Sequence, residues 1–166
     1  NHIFPTSGAA GALAHALRAV TSPGDDVLTF APYFPEYNCY VGMTGANLRV
    51  VPANTADFQV DFEQFEKMLT PNVSAVLINT PNNPTGAIME REDLEAIAKI
   101  VEEKDLFVIS DEIYSELTYK GNPVSITQIP GMRERTVLIN GFSKAYAMTG
   151  WRLGYACGPE VILKHM

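Results

Sequence analysis

Ala75-Val76-Leu77-Ile78 and Phe107-Val108-Ile109 are apolar at every position, with no alternation between a greasy and a polar face. A strand of that kind is covered on both sides, which is the habit of parallel sheets packed between helices. Further short runs rich in β-branched or apolar residues lie at Ile3–Thr6, Val27–Ala31, Leu48–Val51, Val137–Asn140 and Leu153–Cys157. With Ala75–Asn79 and Phe107–Ser110 they make seven strand candidates. Between them lie amphipathic stretches at helical spacing. Ala9–Val20 aligns Leu13, Leu17 and Val20 on one face, and Glu90–Glu103 aligns Leu94, Ile97, Ala98 and Val101. A shorter helix over Phe62–Leu69 is announced by Asp61 as N-cap with Gln64 three residues on, the capping-box spacing. Turn chemistry separates the elements at Ser22-Pro23-Gly24-Asp25 and Lys120-Gly121-Asn122-Pro123. Strands alternating with helices predict an α/β fold around a central sheet. The structure of Phe34–Met43 and Pro123–Gly131 stays open at this level.

A chain of 166 residues buries one substantial core, so one domain is expected. Its net charge of −7 argues against wrapping nucleic acid or adhering to an anionic membrane, since both need a basic face. Small molecules are the expected partners. Cys39 and Cys157 stand far apart in apolar settings, which predicts buried free thiols rather than a disulfide framework or a cysteine metal site. His2, His15 and His165 show no metal-ligand spacing, so no metal site is expected. No apolar run is long enough to cross a bilayer, residues 1–5 do not read as a signal peptide, and a cytoplasmic location is expected. The sequon Asn72-Val73-Ser74 reads as chance in such a protein. The chain starts at Asn1 without an initiator methionine and stops at Met166 within a helical stretch, so a piece of a longer protein is expected.

In open parallel α/β sheets ligands bind beyond the carboxyl ends of the strands, where loops and helix N-termini converge. Five such ends carry polar or aromatic groups here. They are Ser7-Gly8-Ala9-Ala10, Pro32-Tyr33-Phe34, Asn82-Asn83-Pro84-Thr85-Gly86, Asp111-Glu112-Ile113-Tyr114 and Gly141-Phe142-Ser143-Lys144. Each alone has a bland explanation: a cap, a turn, a surface charge. The set matches the needs of a phosphorylated aromatic aldehyde held by a lysine. Gly8, Ala9 and Ala10 can offer backbone N–H groups to a phosphate at a helix N-terminus. Asp111 and Tyr114, three apart, are expected to reach the same side through one helix-like turn. There the carboxylate can hold a proton on a ring nitrogen while the phenol and the Asn83 amide donate to a ring oxygen. Phe34 offers a flat face for stacking, and Arg152 a fixed positive charge for phosphate.

The stretch from Asn140 to Gly154, NGFSKAYAMTGWRLG, closely resembles the cofactor-lysine motif of class I/II aminotransferases, the aspartate aminotransferase-like enzymes of fold type I. The same resemblance recurs in the same order at the other four strand ends, so it covers nearly the whole chain. It implies a three-layer α/β/α large domain over residues 1–166, with seven strands, mostly parallel, and Leu153–Cys157 running antiparallel. It implies pyridoxal 5′-phosphate as cofactor, with Lys144 as its Schiff-base lysine, Asp111 as partner of the ring nitrogen, and Asn83 and Tyr114 as donors to the ring oxygen. Phe34 is then the stacking residue, and Gly8, Ala9, Ala10, Ser143 and Arg152 the phosphate holders. Two departures stand out. Gly141 occupies a position that is often serine in the family, removing a hydroxyl contact to phosphate, and Phe34 stacks without the hydrogen-bonding tip of a tryptophan or tyrosine.

The implied reaction is transamination between an L-amino acid and a 2-oxo acid, with Lys144 as anchor and as general acid and base. A homodimer is implied as well. The arginine that clamps the substrate carboxylate in the family belongs to a small domain beyond this chain. Arg133 and Arg135 precede the sixth strand, at the wrong edge, so weak cofactor binding and poor turnover are expected of the chain alone. Two rivals share the scaffold: a carbon–sulfur β-lyase, and an aminotransferase-like sensor domain of a transcription regulator.

Overall fold

The computed structural model describes residues 2–54, 56–121 and 123–166. Among these residues seven strands appear, β1 (Ile3–Ser7), β2 (Asp26–Phe30), β3 (Asn47–Val51), β4 (Val73–Asn79), β5 (Phe107–Asp111), β6 (Thr136–Gly141) and β7 (Leu153–Cys157). They form one sheet in the order β1-β7-β6-β5-β4-β2-β3. Neighbours from β6 through β3 are parallel, and β7 runs antiparallel to both β6 and β1. β1 therefore points the same way as the parallel strands, and its carboxyl end reaches the same edge.

Among the described residues five α-helices accompany the sheet: α1 (Gly8–Val20), α2 (Tyr37–Gly42), α3 (Phe62–Lys67), α4 (Arg91–Glu103) and α5 (Glu160–Leu163). Short 3-10 turns span Ser115–Leu117, Ile126–Gln128 and Thr149–Trp151. The period of two along each strand divides its side chains between two cores. Ala75, Leu77, Ile109, Val137 and Ile139 pack with Leu13 and Leu17 of α1 on one face. Val76, Ile78 and Val108 pack with Leu94, Ile97 and Val101 of α4 on the other. The expected three layers follow from that division.

Local signals act where the sequence put them. Asp61 caps α3 by accepting from the Gln64 N–H at 3.0 Å, although the helix ends at Lys67, two residues short of Leu69. At the turn after α1, Ser22 N–H donates to Asp25 at 2.8 Å and Gly24 takes φ +93°. Asn122, in the other expected turn, lies outside the described residues. The two open segments hold α2 and the 3-10 turn Ile126–Gln128, the latter capped by Ser125, which accepts from Thr127 N–H. The thiols differ from expectation. Cys39 is exposed, because α2 turns only Tyr37 and Val41 inward, and Cys157, at the end of β7, is half-buried. Among the described residues no helix is long and apolar enough to cross a membrane.

Candidate active site

At the carboxyl edge of the parallel strands lies a cleft of about 370 Å³. Its walls include Ala9, Ala10, Phe34, Asn83, Asp111, Tyr114, Ser143, Lys144 and Arg152, nine of the ten residues the sequence singled out. Gly8, the tenth, sits directly behind Arg152.

Asp111 is the last residue of β5, and period two carries it to the α1 face with Ile109. It is 4 % exposed. Its Oδ2 accepts the Tyr37 hydroxyl at 2.7 Å and its Oδ1 accepts the Ile113 N–H at 3.2 Å. Burial raises its carboxyl above the usual range, while those two donors pull it back. Both donors are neutral. Among the described residues, the buried Asp111 carboxyl thus has an open cleft beside it and neutral hydrogen-bond donors at its two oxygens.

Tyr114 reaches the same cleft by a different backbone path from the expected helix-like turn. Asp111 ends a strand, and a turn follows in which Ser115 N–H donates to Glu112 O at 2.9 Å, leading into the 3-10 turn Ser115–Leu117. The strand's own hydrogen bonding holds Asp111 extended, so the turn starts later. Lys144 Nζ lies 5.3 Å from the centroid of the Tyr114 ring. Amine, phenol and acid therefore share one cavity.

Asn79, at the end of β4, ties the strand ends together. Its amide nitrogen donates to Asp111 O at 2.9 Å and its oxygen accepts the Asn83 N–H at 2.8 Å, which fixes the loop bearing Asn83. Phe34 stands edge-on to Tyr37, with ring centroids 5.6 Å apart at 84°.

Beside Arg152 the start of α1 and β7 cross closely. Gly8 N–H donates to Arg152 O at 2.9 Å, so this amide serves the turn and is not free for an anion, a correction to its expected role. Gly8 takes φ +69°, and a side chain there would meet the Arg152 guanidinium at 2.6 Å. At Gly154 an added Cβ would lie 2.3 Å from Gly8 C. The departure at Gly141 has its physical reason here: a Cβ would stand 3.0 Å from both Gly154 Cα and Leu153 O. The Ser7 side chain makes no cap bond, which leaves the first turn of α1, with Ala9 and Ala10 on the cleft wall, open to an anion. Arg152 donates to Thr149 O at 3.1 Å, which holds its guanidinium at that wall. Arg135 pairs with Asp105 at 3.1 Å, and Arg133 donates to Thr127 O, both at the far edge of the sheet as expected.

Sequence reasoning missed Tyr37, Asn79 and Thr149. Asn79 was detectable as a polar residue closing an apolar strand. Tyr37 lay in a segment whose structure the sequence left open.

Residues 1–166 match the profile of the family described as Aminotransferase class I and II. The chain belongs to this family. The aspartate/prephenate aminotransferase of Thermus thermophilus is 40% identical over 164 residues, 97% of this chain and 42% of that protein. The arginine–pyruvate transaminase AruH of Pseudomonas aeruginosa is 38% identical over 161 residues, 96% of this chain and 41% of that protein. Among solved structures, the aromatic aminotransferase from Pyrococcus horikoshii superposes with a TM-score of 0.95 at 40% identity, covering 99% of this chain and 44% of that one. The chain thus spans about two fifths of the relatives it matches. Relatives named for aspartate and for arginine are almost equally similar, so identity alone does not select a substrate.

Proposed function

We propose that this chain forms the cofactor-binding core of a pyridoxal-phosphate-dependent aminotransferase that moves an amino group between an amino acid and a 2-oxo acid. The observation that carries the reading is Asp111, a buried carboxylate hydrogen-bonded by neutral donors, facing a cleft that also holds the Lys144 amine. A protonated ring nitrogen is the cation such a carboxylate needs. The rest of the wall fits the same group. Lys144 supplies the amine that holds the aldehyde, Phe34 a face for the ring, and Asn83 and Tyr114 donors for the ring oxygen. The α1 N-terminus at Ala9 and Ala10, with Ser143 and Arg152, suits a phosphate dianion. Gly8 serves by turning the chain so that Arg152 can lie against it.

Bound pyridoxal phosphate supplies an electron sink for the electrons left when the substrate Cα–H bond breaks. Asp111 keeps the proton on the ring nitrogen. Lys144 would hold the cofactor through Nζ and, as a free amine, would take the substrate Cα proton on Nζ and give it back to the carbon that had carried the aldehyde. Phe34 and Tyr114 would hold the reacting groups in register.

The test is amino-group transfer by the full-length protein that carries this chain, assayed over a panel of amino acids with 2-oxo acid acceptors. Wild-type protein transfers the amino group, and Lys144→Ala lowers the rate by roughly a thousandfold or more. Transfer that survives Lys144→Ala would overturn the proposal.

A further inference from the structure

We infer that Tyr37 is a positioning residue of this cleft, a single side chain that sets both the acid and the aromatic face against which the cofactor ring lies. The inference rests on the assignment of the cleft to pyridoxal phosphate. Tyr37 is fully buried at the start of α2, and its hydroxyl donates to Asp111 Oδ2 at 2.7 Å. With Ile113 N–H on Oδ1, that bond fixes the plane of the carboxylate. The same ring meets Phe34 edge to face at 5.6 Å and lies nearly parallel to Tyr33, 6.5 Å away at 16°. A T-shaped contact is an oriented one, so the Tyr37 ring sets the direction in which Phe34 presents its face. One residue therefore governs two walls.

The chemistry of the donor matters. A lysine or arginine at this place would neutralise Asp111 and compete with a ring cation. A phenol does neither. Burial, and then the Asp111 charge beside it, hold the Tyr37 hydroxyl far above the ordinary phenol range. It stays a donor across the whole pH range in which a protein of this kind works. Besides Asp111, the titratable groups that bear on Tyr37 are Tyr114 and Tyr40, and Lys144, Glu36 and Arg152 share the cleft.

The two contributions separate by substitution. Tyr37→Phe keeps the ring against Phe34 and removes the hydroxyl; Tyr37→Leu removes both. The experiment measures pyridoxal phosphate affinity of the full-length protein by equilibrium titration from acid to neutral pH, with a thermal melt of each variant. Loss of the hydroxyl removes a bond that favours ionised Asp111, so its carboxyl moves up. Tyr37→Phe is expected to bind about tenfold more weakly, with the acid limb of its affinity profile displaced to higher pH. Tyr37→Leu is expected to bind about a hundredfold more weakly or worse. A merely structural tyrosine would lower affinity equally at every pH, and a Tyr37→Phe profile that superposes on wild type, or that is lowered without moving its acid limb, would overturn the inference. Because only folded protein binds, the position of the limb decides even if the variant melts early. If wild-type protein itself fails to bind pyridoxal phosphate, the cofactor assignment falls first and takes this inference with it. Binding by wild type with an unmoved limb in Tyr37→Phe defeats the inference alone.

Discussion

Burial pushes the Asp111 carboxyl up from its ordinary value. An acid raised on folding holds its proton more tightly in the folded than in the unfolded state. By linkage, its contribution to stability is greatest at low pH, falls as pH rises from the ordinary value through the raised one, and stays low above it. Asp111→Asn removes that titration. In the cofactor-free full-length protein, the wild-type-minus-variant difference in unfolding free energy is expected to fall across this window and then level off. Urea midpoints measured at a series of pH values check it, and a difference that is flat or rises with pH contradicts it. Residues whose chemistry is unusual for their position were legible at this scale: a lysine, an acid and an asparagine just past apolar strands. Tyr37 was not, because a buried aromatic reads as core until its hydroxyl is seen against Asp111.

Among the elements, β7 and the connection after β5 hold the site by contacts that leave little tolerance. Gly154→Ala would drive a methyl into the Gly8 backbone at 2.3 Å. It is expected to cost about 3 kcal/mol or more, whereas Gly150→Ala, with open space around it, stays within about 0.5 kcal/mol. Chemical denaturation of the two variants checks the contrast. Glu112, the residue after Asp111, is buried on the other side of the chain. Its Oε1 accepts from Ser110 at 2.9 Å and from Ser125 at 2.7 Å, tying the long connection to the sheet. Glu112→Ala removes both bonds and leaves the buried Ser110 hydroxyl without this acceptor, and is expected to cost about 2 kcal/mol, read as a lower urea midpoint. The central strands were legible because both faces of β4 and β5 are covered, which demands unbroken apolar runs. The edge strand β1 alternates in burial instead, and short runs sufficed to mark it. α2 was not legible: six residues with two buried positions make no stripe, and its place is set by packing against the sheet. Strand ends shifted by one or two residues, since pairing with a neighbour, not composition, decides where a ladder stops.

For the molecule as a whole, the sheet order puts the ends of β1, β2, β4, β5 and β6 and the start of β7 around one cleft, which is what a set of strands wound in both directions from the centre achieves. The direction of β7 and the order of strands follow from long-range pairing, so no local pattern could have given them; the resemblance to the family implied the antiparallel β7, and the order came only with the fold. With the relatives more than twice as long as this chain, the substrate side of the cleft is expected to need further sequence. The 166-residue chain expressed alone is expected to bind pyridoxal phosphate at least tenfold more weakly than the full-length protein, with amino-group transfer near background; equal affinity and turnover in the two would contradict that expectation. The most direct measurement of the central claim is chemical trapping: pyridoxal phosphate is added to the full-length protein, the adduct is reduced with borohydride, and the modified peptide is mapped by mass spectrometry. The reduced cofactor is expected on Lys144, with none on the Lys144→Ala protein. Labelling spread over other lysines, or labelling undiminished when Lys144 is replaced, would contradict it.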